Sequence, residues 1–240
     1  MTKPLSALSK LAAVSVLAAI SLPAAAQQAG DTIVNVGWFH LRPDEKSEPL
    51  FRHAPAPAGA IAGSSATISN ADTLGIAFTR FFTDNFALTA DLGIPPKFKL
   101  YGGGTLASLG QLGEAKQWSP AVIAKWYFGD KNSQLRPFVG LGVTRVWYSS
   151  VSLTPSMQRA AAGPGGTATA DLSSSWAPVA NVGLTYNLNA KWSLGLSVAY
   201  IPLKTDATIN GRTAGGTATL STTKLTLDPL VTFLSVGYKF

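Results

Sequence analysis

Few groups in this 240-residue chain can do chemistry: two histidines, 12 carboxylates and no cysteine. Without Cys, a catalytic thiol, a disulfide framework and a CxxC zinc site are excluded. A general base must lie within hydrogen-bond reach of its nucleophile. His40 falls near a strand end on an outward phase, and His53 lies in a Pro/Ala segment. His53 with a loop serine could meet that requirement, but nothing in the spacing points to it. The carboxylates are dispersed, and the densest run, DEKSE at 44–48, reads as a solvated loop. Clustered metal ligands are therefore not expected. GPGG at 163–166 has no following helix with Lys-Ser/Thr, so it is no phosphate loop. The reading is of a protein without catalytic residues, metal or cofactor.

The elements that carry these residues are strands. Charged residues make up 13% of the chain, about half the soluble average of roughly 25%. Yet the longest near-apolar run, 11–22, is too short for a spanning helix of roughly 20 residues. That run follows Lys3 and Lys10 and ends at Pro23 and Ala24-Ala25-Ala26, the pattern of a secretory leader. Residues 1–26 are expected to be cleaved, leaving 27–240 as one β-barrel domain. A pI near 9.7 could suggest nucleic acid. The basic residues are scattered singly, however, and an exported chain meets little nucleic acid, so no such partner is expected.

The body of the chain alternates with period two. WSLGLSVAY puts Trp192, Leu194, Leu196, Val198 and Tyr200 on one face, and Ser193, Gly195, Ser197 and Ala199 on the other. Nine residues match a tilted transmembrane strand with an aromatic at each interface, and the small face suits a narrow interior. A water-soluble barrel would invert the pattern. DTIVNVGWFHL, TLGIAFTRFF, FALTADLGI, AVIAKWYF, PFVGLGVTRVWY, APVANVGLTYNL and the C-terminal strand read the same way, for a total of eight. An even number closes an antiparallel barrel. Connections alternate between short polar turns and long Gly/Pro/Ala/Thr-rich segments near 42–72, 95–120, 149–176 and 202–227. The expected fold is an all-β, eight-stranded antiparallel transmembrane barrel of the outer membrane, with short periplasmic turns and mobile extracellular loops. Trp38, Trp126, Tyr186, Trp192, Tyr200, Tyr238 and Phe240 form its aromatic girdle.

Four blocks carry a family resemblance: LGIAFTRFFTDNFAL at 74–88, SPAVIAKWYFGDKNSQLRPFVGLGV at 119–143, SWAPVANVGLTYNLNAKWSLGLSVAY at 175–200 and LDPLVTFLSVGYKF at 227–240. In this order they resemble the outer membrane protein W (OmpW) family, with Leu230 standing where that family usually has Trp. The resemblance implies a barrel in the outer membrane of a Gram-negative bacterium, surrounded by lipid and lipopolysaccharide. It also implies a passive conduit for small hydrophobic molecules, for which exit sideways into the membrane has been proposed. Some relatives are tied to alkane or aromatic uptake, others to colicin reception or stress response. The terminal Phe240 resembles the sorting signal read by the outer-membrane assembly machinery.

The inward phase tests whether the lumen is apolar. Phe39, Leu41, Tyr148, Val179, Ile201, Val231 and Phe233 fall on it in the extracellular half, above a layer of Asn35, Ser197, Ser235 and Lys239. Two readings follow. These side chains line a ligand-accessible cavity, or they plug a barrel too narrow for more. In the first, a small hydrophobic solute is the partner. In the second, the protein is a structural or receptor barrel whose loops bind a partner. Asp91 and Lys125 also fall on the inward phase of adjacent strands, where low dielectric predicts an ion pair with Arg145 nearby; independent hydration near the periplasmic mouth is the alternative. Arg145 itself falls outward. Either it snorkels or a bulge shifts its phase.

Overall fold

The computed structural model describes residues 27–240; the expected leader lies outside them. The eight barrel strands are β1 (Thr32–Arg42), β2 (Ala71–Phe81), β3 (Phe86–Gly93), β4 (Ala121–Tyr127), β5 (Leu135–Leu153), β6 (Ser175–Asn187), β7 (Trp192–Tyr200) and β8 (Leu230–Lys239). Each pairs antiparallel with the next, and β8 pairs with β1, so the barrel sheet has no free edge.

The period-two phase holds through the barrel portion of the strands. Leu141 is 73% exposed on the outer wall, while Asn181, facing in, is 4% exposed. Valine, leucine and aromatic side chains stand outward along every strand; inside are glycine, serine, threonine and alanine together with a smaller set of large apolar side chains such as Leu41, Phe81, Phe138 and Val231. In water such a surface would cost about 25 cal/mol for each Å² of apolar area left wet. Lipid removes that cost, so the same pattern that defines the strands defines their solvent. The short turns are locally capped. Thr83 Oγ1 accepts from the Phe86 N–H (2.9 Å), and Asn189 Oδ1 accepts from the Trp192 N–H (2.9 Å).

The long connections carry strands and a helix of their own. β5 runs for 19 residues, about twice the 9–11 that span a membrane, and its upper half carries a wall beyond the barrel. Gln111–Trp118, Lys97–Gly104 and Ser64–Ile68 extend that wall. A second sheet joins Thr167–Leu172, Lys204–Arg212, Ala218–Thr226 and Phe51–Ala54. Leu50, Leu112, Met157, Ala168 and Ile209 pack between them. A helix, Pro155–Ala162, closes this head; Thr154 Oγ1 accepts from the Met157 N–H at its start, ahead of Pro at the first helical position. Glycine and threonine in these segments serve strand pairing, and burial of alternate leucines offsets the entropy of ordering them.

Candidate functional site: an apolar cavity in the upper barrel

A cavity of about 390 Å³ occupies the upper lumen. Phe39 and Leu41 of β1, Val179 of β6, Val231 and Phe233 of β8, and Ile201 just past β7 line it. The structure adds Ile123, Ala199 and Leu203 to the wall. It places Tyr148 elsewhere: its ring packs above the cavity with Val146, Leu203 and Leu225. Period two puts Tyr148 inward, but β5 has by then risen past the barrel into the head. Strand phase gives the facing of a side chain and not its height.

The floor is aromatic. Phe39 and Phe233 are cross-strand partners, and their rings stack with centroids 3.9 Å apart. Beneath them lies a polar layer with only about 30 Å³ of space among Asn35, Thr79, Lys125, Tyr127 and Ser235. Below that the barrel is shut. Arg136 is 0% exposed and donates to the carbonyl oxygens of Gln27 (2.9 Å) and Asp84 (2.6 Å). Its guanidinium also stands over the Tyr127 ring at 5.3 Å, within an aromatic cluster of Phe81, Tyr127 and Phe138. The Asp84 carboxylate accepts from the Ala29 N–H at 2.9 Å. That bond, with Lys131 at 3.4 Å, holds Asp84 below its ordinary value of 3.8. Gln27 and Ala29 are thus tied across the periplasmic mouth. Sequence reasoning passed over Arg136, although stepping back two residues from inward Phe138 would have found it.

Asp91 and Lys125 do not form the expected ion pair. The register sets Asp91 opposite Ala121 and Lys125 opposite Ala87, four residues apart along β4. Among the described residues no ion pair joins them. The Lys125 ammonium instead lies 4.7 Å from the Phe138 ring centroid, and Asp91 lines the cavity with one carboxylate oxygen enclosed and unpartnered. Strand adjacency alone could not show this, because side chains on neighbouring strands meet only at matching register. Arg145 faces outward opposite Trp176 with its phase intact. It stands 5.4 Å from that ring and donates to Ser174 Oγ (2.8 Å), so it snorkels upward; the strand's register shift comes later, between Ser149 and Ser152.

The aromatic side chains fall at two levels of the outer wall. Trp126 lies opposite Phe86 beside the β2–β3 turn, Tyr186 opposite Leu194, and Trp192 opposite Tyr238, whose ring meets Phe240 edge-on at 4.9 Å. Trp38 and Tyr200 lie toward the other end. The Trp38 N–H donates to Asp72 (3.0 Å), which also holds His40 at 2.8 Å. His53 meets the Thr222 hydroxyl (2.8 Å) on the exposed head. Among the described residues no group of His, Asp and Glu is arranged to hold a metal ion.

The wall has a lateral gap between β3 and β4. Their ladder ends at Asp91 opposite Ala121. The next backbone bond above it runs from the Gln117 N–H to the Pro96 carbonyl (3.1 Å). Between these points each strand holds its other neighbour. Ile94 donates to Leu74 O (3.0 Å), and Pro120 O accepts from Arg145 (3.2 Å). Pro95, Pro96 and Pro120 have no N–H to close the space. The lining of the cavity accordingly includes Leu92, Ile94 and Trp147, side chains that also stand exposed on the lipid face.

This combination can be set beside known proteins. Residues 28–240 match the model of the OmpW family. Outer membrane protein W of Vibrio cholerae serotype O1 is 32% identical over 219 residues, covering 91% of this chain and 92% of that protein. The dibenzothiophene metabolism operon protein PahQ of Pseudomonas aeruginosa is 30% identical over 182 residues, covering 75% of this chain and 77% of that protein. Among solved structures, the outer membrane protein OprG of Pseudomonas aeruginosa superposes with a TM-score of 0.78 at 27% identity, over 90% of this chain and 99% of its own.

Proposed function

The chain belongs to the OmpW family of the bacterial outer membrane, and from that premise we propose that it gives passive passage to small hydrophobic molecules. One observation carries the reading: a single cavity of about 390 Å³ has the lumen's Leu41 and Phe233 in one wall and the lipid-facing Leu92 and Ile94 in another. That volume lies within the range of small-molecule pockets, about 300–1,000 Å³. A solute arriving from the head settles on the Phe39–Phe233 stack. The Arg136 closure bars the way down, so it leaves through the β3–β4 gap into the membrane. No energy source is needed, because an apolar solute is already more stable in lipid than in water. A relative named for a dibenzothiophene metabolism operon is in keeping with an apolar solute. On the same reading the mature chain starts at Gln27, its outer wall is bathed by lipid and lipopolysaccharide, and the strand ending in Phe240 is presented to the outer-membrane assembly machinery.

The test is uptake of a radiolabelled apolar probe such as naphthalene by cells lacking their own copy. Leu41→Glu and Phe233→Glu each place a carboxylate in the cavity, which disfavours apolar occupancy. Each is expected to lower the protein-dependent rate by about tenfold or more, an effect of roughly 1.4 kcal/mol. Unchanged uptake in both, with barrels still folded by gel mobility, would overturn the assignment.

A further inference from the structure

The outer wall beside the lateral gap holds a second arrangement, outside the lumen. In the head strands Lys97–Gly104 and Gln111–Trp118, Lys97 lies opposite Lys116 and Lys99 opposite Glu114. Trp118 in turn lies opposite Trp147 of β5. Directly opposed residues share a face, and alternate residues repeat it. These six side chains therefore stand together on the outside, while Phe98 and Ala115 of the same strands are buried within.

Their order is vertical. Trp118 and Trp147 stack at 5.9 Å with planes 3° apart, at the level where β4 and β5 leave the barrel. Immediately above are three lysines and one carboxylate. Lys97 Nζ holds Glu114 at 2.8 Å, and Lys99 and Lys116 have no ion-pair partner among the described residues. Lysines placed directly opposite each other destabilise a sheet, so the cluster, net +2, is poised for an anion. Immediately below Trp118 a groove of about 480 Å³ runs down the outer wall, floored by Gly75 and Gly93 and flanked by Leu74, Ile76, Leu92 and Ile94.

We propose that this strip is a binding site for one phosphorylated glycolipid of the outer leaflet. Its phosphate sits on Lys97, Lys99 and Lys116, its glycerol- or sugar-level atoms lie at the tryptophan pair, and an acyl chain fills the groove. Cation, aromatic pair and apolar trough follow one another in the order of phosphate, interface and chain in such a lipid. Free phosphate would use the lysines and leave the groove unexplained. A protein partner would have to enter the bilayer to reach it. Leu92 and Ile94 line both this groove and the cavity, so the bound chain lies across the mouth of the lateral gap. The site stands on its own geometry, whether or not a solute moves through the lumen.

Native mass spectrometry of the full barrel in dodecyl maltoside, titrated with bisphosphorylated lipid A, tests this. One lipid A per barrel is expected, weakened about a hundredfold in the Lys97→Gln/Lys99→Gln/Lys116→Gln variant, since each lysine near an anionic surface contributes about fivefold. Leu92→Ser/Ile94→Ser should weaken it through the groove, and Lys131→Gln/Lys191→Gln, at the periplasmic turns, should not. Wild-type binding by the triple variant, equal loss in the turn variant, or inorganic phosphate competing on equal terms with lipid A would each defeat the proposal.

Discussion

Arg136 shows how much one side chain can decide. A guanidinium with no exposure to solvent is held by two backbone carbonyls and by an aromatic cluster. Hydrogen bonds to a charged donor contribute about 1.5–3 kcal/mol each. Arg136→Met keeps the bulk and removes both bonds, leaving the Gln27 and Asp84 carbonyls without their donor. Urea unfolding in lipid vesicles should show a loss of about 2–4 kcal/mol, because apolar packing by Met offsets part of the cost. Gln27 and its neighbours should also come away from the periplasmic mouth, so ion conductance across planar bilayers should rise above that of the wild type. An unchanged midpoint together with unchanged conductance would mean that Arg136 only fills space. At this scale the sequence was a partial guide. It identified the facing of Phe39, Leu41, Val231 and Phe233, because facing depends on period two alone. It misjudged the Asp91–Lys125 pair, because pairing depends on register, which is set by how two strands slide past each other.

At the scale of the element, the β3–β4 ladder stops at Asp91 opposite Ala121, two residues short of the end of β3. The cause is local chemistry: three prolines flank the upper rungs, and Gly93 and Pro120 keep their bonds to β2 and β5 instead. A gap of this kind is soft, since no rung of the ladder holds it shut. The chain has no native cysteine, so Gly93→Cys with Ser119→Cys can be joined across the gap in otherwise unmodified protein by a bis-methanethiosulfonate, each thiolate expelling methanesulfinate to form a disulfide that a reductant later cleaves. If solutes leave sideways, the bridged barrel should lose most of its uptake, about tenfold or more, and cleaving the linker should restore it. Uptake that survives bridging would move the exit elsewhere. Prolines 95, 96 and 120 were plain in the sequence, but as loop boundaries; only the register reveals that they border one gap. The helix Pro155–Ala162 was read only as part of the loop near 149–176, although Thr154-Pro155 and Gly163 are ordinary start and stop signals.

At the scale of the whole molecule, lower barrel and head were not equally legible for a physical reason. Barrel strands pair in sequence order and face lipid on one side, so composition and period suffice. The head is assembled from segments far apart in the chain, such as Thr222 opposite Phe51, and its burial is worked out between loops. What unites both parts is the solvent outside. Leu196 lies midway along β7, four residues from Trp192 and four from Tyr200, and is 50% exposed between Leu184 and Leu234. If the band faces hydrocarbon, Leu196→Arg should cost about 2–4 kcal/mol in vesicles, and Tyr200→Arg, near the interface, only about 0–1 kcal/mol. If the band faced water, Leu196→Arg would be close to neutral, as exposed surface substitutions usually are. The depth dependence of that single substitution, read by urea titration, therefore measures where the membrane lies on this barrel, and a flat profile along β7 would remove the bilayer from the account.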